Sequence, residues 1–187
     1  MVNVEITITK DEILQTLRNK SDFIKLEYLE RQLKKNLPAE IRKDVFSIIA
    51  EIYTNKSWYN MAAKNYNNAA ELSKTFKEKR EFYFASVLNF IKARSFLEAD
   101  DAFTKLLVLS TDKEKQEAKE NYVSLFLSEA EKYFKEKNYV NSITFFSRVL
   151  EKISLKDARS SEVKKNLVML YEMIGKPGEA TKIRQSM

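Results

Sequence analysis

The chain has 187 residues, with 33 Lys and Arg against 27 Asp and Glu and a net charge of +6. It holds no cysteine and no histidine, which excludes disulfides, thiolate catalysis and Cys-ligated zinc and removes the usual general base near neutral pH. Two Gly and two Pro against 12 Phe, 9 Tyr and 1 Trp point to long helices with short turns around an aromatic core, since β architectures need more turn residues.

A chain of this length suits one domain that buries roughly 70% of its unfolded surface. The cationic excess is spread out, with no basic block, and reads as a mixed, solvated surface. No apolar run approaches the ~18 residues that span a bilayer. A basic region followed by a hydrophobic leader is also missing. The expectation is a cytoplasmic protein with no membrane span.

Residues 1–8 open the chain with Val2, Val4, Ile6 and Ile8 alternating with Asn3, Glu5 and Thr7. Period two with β-branched residues predicts an extended arm. Nothing else in the chain resembles a strand, so the arm is free, docked on the chain's own helices, or paired with another molecule.

Thr9-Lys10-Asp11-Glu12 is a capping box that starts a first helix carrying Ile13, Leu14 and Leu17. Ser21 and Asp22 cap a second, with Phe23, Leu26, Leu29 and Leu33 at helical spacing, and Asn36-Leu37-Pro38 ends it. Ser57 before Trp58, Ser95 to Glu98, Thr111 to Glu114, and Asn138 before Tyr139 mark further helix starts. Residues 112–136 read as one long helix of about 37 Å. Gly175 to Gly178 divides a final pair, with Pro177 in a first turn. About ten helices in five antiparallel pairs result.

A template recurs through these pairs. Ala50, Tyr53, Tyr59, Ala62, Tyr66 and Ala69 match Val87, Phe90, Phe96, Ala99, Phe103 and Leu106, then Ala130, Tyr133, Tyr139, Ser142, Phe146 and Val149. A degraded leading copy is Leu14, Leu17, Phe23, Leu26 and Leu33, and a shortened last one is Val168, Tyr171, Pro177 and Ala180. The steps from Leu14 through Ala50, Val87 and Ala130 to Val168 are 36, 37, 43 and 38 residues. Such periods mark stacked helical repeats, which mostly bind other macromolecules. Approximate repeats are 9–38, 39–75, 76–110, 111–156 and 157–187, forming one repeat domain over 9–187.

The pattern resembles the tetratricopeptide repeat (TPR) family. Ala50 and Ala62 sit where that family has small residues, Tyr53, Tyr59 and Tyr66 where it has aromatics, and Pro38 where a proline often closes a repeat. The steps exceed the family's usual 34 residues, and its glycine beside the small residue is absent. More remotely the chain is similar to vesicle-fusion adaptors of the soluble NSF attachment protein type. The resemblance implies an all-α fold, a right-handed α-α superhelix of about five TPR-like hairpins with a short extended N-terminal arm. It implies a non-catalytic scaffold or adaptor that binds a peptide or helix of a protein partner in its concave groove, without a cofactor.

In that family the first helix of each pair lines the groove. Carried over, the stripe holds Asp44, Ser47, Glu51, Thr54 and Asn55, then Glu81, Phe84, Leu88, Ile91 and Lys92. It continues through Ser124, Leu127, Glu131, Phe134 and Lys135 to Glu162, Lys165, Met169, Glu172 and Met173. Thr54, Asn55, Phe84, Leu88, Ile91, Lys92, Leu127, Phe134, Lys135, Met169 and Met173 are the candidate contacts. The apolar members suit a partner's helix or extended peptide, or else pack against neighbouring helices. Family members that hold chaperone C-terminal carboxylates use Lys and Asn at points that here carry Ser47, Glu51, Leu88, Leu127 and Glu131, so no such clamp is expected.

Two other functions remain open. Lys74, Lys77, Lys79 and Arg80, or Lys132, Lys135 and Lys137 beside Tyr133, would serve nucleic-acid binding. Self-assembly would use the N-terminal arm or the terminal repeats. Catalysis is not expected: neighbouring acids such as Asp100 and Asp101 diverge by about 100° on a helix, and two late glycines build no phosphate loop.

Overall fold

A computed structural model describes residues 8–152 and 158–187. The arm expected over 1–8 falls outside them, apart from Ile8, which packs against the core of the leading helices. Among the described residues every regular element is a helix: α1 (Lys10–Leu17), α2 (Asp22–Leu33), α3 (Ala39–Asn55), α4 (Tyr59–Leu72), α5 (Phe76–Lys92), α6 (Phe96–Val108), α7 (Asp112–Lys135), α8 (Tyr139–Lys152), α9 (Ala158–Met173) and α10 (Pro177–Gln185). The chain divides into two compact units, α1 to α6 ending at Thr111 and α7 to α10 starting at Asp112.

Local chemistry explains several boundaries. Thr9 accepts from the Glu12 N–H while Glu12 accepts from the Thr9 N–H, closing the expected capping box. Asn138 caps α8 by accepting from the Asn141 N–H. Ser95 precedes α6 but makes no cap bond; its hydroxyl accepts instead from the Asn60 amide at 2.8 Å. Ser57 is a turn residue, and α4 starts after Trp58.

Four hairpin turns share one geometry. Ser57, Arg94, Lys137 and Gly175 each have positive φ. In each turn that residue donates to the carbonyl three back, at Thr54, Ile91, Phe134 and Glu172 respectively. The residue after it donates five back, to Tyr53, Phe90, Tyr133 and Tyr171. Paired bonds of this kind satisfy the last helical carbonyls and reverse the chain. The turn residues follow one another at 37, 43 and 38 residues, the steps of the sequence template. The backbone therefore repeats independently of the side chains that suggested the repeat.

In unit 1, consecutive helices from α2 to α6 pack on one another, and α1 also meets α3. Links between residues 35 apart set the register of α3 against α5: Lys43 to Glu78 and Thr54 to Asn89. Because the same offset holds at both ends, the two helices run side by side in one direction. Ser86 of α5 donates to the Ala63 carbonyl of α4. In unit 2, α7, α8, α9 and α10 pack in chain order, and Ser142 of α8 donates to the Ala130 carbonyl of α7.

The small and β-branched positions of the template are interior, whereas most of its aromatics are half-buried. Ala50, Val87, Ala130 and Val168 are buried, as are Ala62, Ala99, Ser142 and Ala180. Small side chains at crossing points let helices approach closely. In unit 2 Phe126 is fully buried, with Tyr122 edge-on at 5.1 Å and Phe145 at 6.0 Å. Tyr66 is only half-buried, stacked on Phe82 at 6.3 Å.

The leading copy departs from its expected register. Ile13, Leu17 and Leu29 form its buried positions, while Leu14 is exposed and Phe23 is 77% exposed. Its turn residue Asn19 has positive φ but lacks the paired bonds of the other four.

Candidate functional site

The first-helix stripe divides into supporting and accessible residues. Asp44 and Ser47 are buried, Asp44 beside Lys10 and Lys43 and Ser47 bonded to the Asp44 carbonyl. Ile91 has no exposed surface and belongs to the core of unit 1, so it does not line a groove. The Thr54 hydroxyl lies 2.9 Å from the Ala50 carbonyl and 3.2 Å from Asn89 Oδ1. Thr54 thus ties α3 to α5. Lys92 sits over the Tyr59 ring at 5.4 Å.

What remains accessible in unit 1 is Glu51, Asn55 and Glu81, exposed, with Phe84 and Leu88 half-buried. Glu51 and Asn55 border a cleft of about 320 Å³ with Leu14, Arg18 and Ile48, between α3 and the α1–α2 turn. In unit 2, Leu127, Phe134 and Met169 are half-buried and Lys135 and Met173 are exposed. Phe134 contacts the Tyr139 ring at 6.1 Å, and Glu172 is bonded by Arg184.

Part of the basic clusters is already engaged. Lys74 pairs with Glu40 at 3.3 Å, Arg80 donates to the Leu109 carbonyl at 2.9 Å, and Lys132 lies 3.7 Å from Glu129. Lys77, Lys135 and Lys137 remain exposed.

No family model matches the chain, and no curated protein sequence matches it. The site must therefore be read from its own geometry. No helix among the described residues is long and apolar enough to cross a membrane.

A second surface was not evident from the sequence. Phe23 and Leu26 of α2, Tyr53 of α3 and Trp58 line a cleft of about 710 Å³, edged by Asp22, Glu27, Glu30 and Lys56. Tyr53 and Trp58 have ring centroids 5.7 Å apart. Trp58 is 58% exposed. Burial, and after it the nearby Glu30 charge, keep the Tyr53 pKa above the usual tyrosine value. Asp22 is paired with Lys56 at 2.9 Å, which holds its carboxyl below the ordinary range. Helical spacing assigned Phe23 to the core, because periodicity cannot tell a buried apolar stripe from one that borders a cleft.

Proposed function

We propose that the chain is a non-catalytic interaction scaffold of the tetratricopeptide type, working in the cytoplasm and binding a peptide or helix of a protein partner on its first-helix faces. The recurring turn carries this reading: Ser57, Arg94, Lys137 and Gly175 share one conformation at the steps of the side-chain template. Within each unit, stacked hairpins of that kind present the side chains of their first helices on a shared face. Leu88 and Phe84 in unit 1, and Leu127, Phe134 and Met169 in unit 2, keep part of their apolar surface accessible, as a surface that receives the apolar face of a helix requires.

The test is affinity capture with Leu88→Glu and Leu127→Glu beside the unchanged chain, with circular dichroism as the folding control. A partner retained by the unchanged chain and lost from the charged variants is the expected result. Capture that is indifferent to both substitutions would count against the stripe. Oligonucleotide binding that falls steeply with salt would favour the nucleic-acid alternative instead.

A further inference from the structure

The α2 cleft is lined by none of the first-helix stripe residues and calls for its own explanation. Its walls are apolar and aromatic, through Phe23, Leu26, Tyr53 and Trp58. Two of these rings are poorly covered, with Phe23 at 77% and Trp58 at 58% exposure. Large aromatics left open beside one another mark a surface for something else.

Among the residues that line it, Asp22, Glu27 and Glu30 face Lys56 alone. Asp22 is matched by Lys56 at 2.9 Å and Lys25 at 3.8 Å, and Glu27 by Arg31 at 2.6 Å. Glu30, whose charge acts on Tyr53, has no lysine or arginine at ion-pair distance among the described residues. Among the described residues one carboxylate at the edge of an aromatic cleft thus has no cation at ion-pair distance, in a chain whose net charge is +6. A planar cation meets both requirements: a guanidinium stacks on aromatic faces and bonds a carboxylate with two parallel N–H groups.

We infer that this cleft is a second docking site, which takes an arginine side chain flanked by apolar residues on a partner peptide, the guanidinium stacking on Trp58 and Phe23 and bonding Glu30. This inference does not rest on the first-helix stripe. The chain's own residues 1–7 are a poorer occupant, because they hold Glu5 and no lysine or arginine.

Trp58 is the only tryptophan in the chain, so its fluorescence reports on the cleft alone. The probe is an acetylated, amidated hexapeptide alternating Leu and Arg, compared with the same peptide carrying citrulline, Lys or Glu in place of Arg. With the full chain, the Arg peptide should shift Trp58 emission and shield it from acrylamide. The citrulline peptide, which keeps shape but loses charge, should bind about tenfold more weakly, the Lys peptide should fall between, and the Glu peptide should not bind. Glu30→Gln should bring the Arg peptide down to the citrulline level, whereas Glu27→Gln, whose carboxylate Arg31 already holds, should change little. Both positions are exposed, so neither variant endangers folding.

Equal binding of the Arg and citrulline peptides, an unchanged Glu30→Gln, or a silent Trp58 would overturn the assignment. So would a Trp58 already shielded in the free protein. Shielding independent of concentration would mean that the chain's own segment fills the cleft, and shielding that rises with concentration would mean a second copy does.

Discussion

Lys43 of α3 and Glu78 of α5 meet at 2.5 Å across 35 residues of sequence. The Lys43 side chain is 5% exposed, bonds Glu40 as well, and lies 3.9 Å from Asp44. Burial works against its charge, but the hydrogen bonds to Glu40 and Glu78 outweigh it and hold the pKa above 10.5. Lys43 is therefore a buried cation that keeps three carboxylates together. Lys43→Met should lower stability by about 2–3 kcal/mol, below the value for a fully enclosed pair because Glu40 and Glu78 retain water. Urea unfolding at neutral pH measures this; an unchanged midpoint would mean that the cluster contributes nothing.

The same cluster sets a pH dependence. The hydrogen bond from Lys43, and then that from Lys74, hold the Glu40 carboxyl below its ordinary 4.5. The folded state thus binds protons less readily at this site than the unfolded state does. Its contribution is complete above pH 4.5 and fades as pH falls through the folded pKa. Asp22, lowered from 3.8 by Lys56, adds a loss in the same direction at still lower pH. The urea midpoint of the unchanged chain should fall from pH 6 to pH 3, and Glu40→Gln should flatten the upper part of that decline.

Lys137 and Ser57 occupy left-handed backbone at φ 57 and 60, which costs a side-chain-bearing residue about 1–2 kcal/mol. Lys137→Gly should stabilise by roughly 0.5–1 kcal/mol after the added freedom of the unfolded chain is counted. Gly175→Ala should cost about 1 kcal/mol: no atom lies within 4 Å of the added carbon, but φ is +72. Thermal midpoints should move upward for the first and downward for the second.

Two apolar substitutions separate core from surface. Phe126→Ala removes a fully buried ring between Tyr122 and Phe145 and should cost about 3–5 kcal/mol. Leu97→Ala removes a side chain that is 78% exposed and should stay within about 0.5 kcal/mol. Tyr66→Ala belongs between them, because the ring is half-buried. Similar losses for all three would contradict this ordering.

Much of this was legible along the chain. The Thr9–Glu12 capping box, Asn138 as a cap and Pro177 in a first turn lie where local hydrogen bonding requires them. α7 runs from Asp112 to Lys135, close to the expected 112–136, because its charged run has no breaker. The leading pair was harder to read. Leu14 and Phe23 fit the helical period yet lie exposed, since period alone cannot say which stripe meets a neighbour.

The candidate surfaces show the same division. Asp44, Ser47 and Ile91 fall on the first-helix stripe by spacing but are buried by packing in unit 1. The α2 cleft unites Phe23, Glu30, Tyr53 and Trp58 from separate segments. No short motif signals it.

The sequence by itself determined the helices of the described residues, their turns, and the steps at which small and aromatic residues recur, because capping, helix propensity and periodicity act over a few residues. Only the tertiary structure decided which apolar residues are covered, which carboxylates have a cation, and that Lys43 is buried among acids. Those outcomes depend in part on contacts between distant segments, such as Lys43 with Glu78 and Asp22 with Lys56, and neither charge nor hydropathy at one position records what the fold brings opposite it.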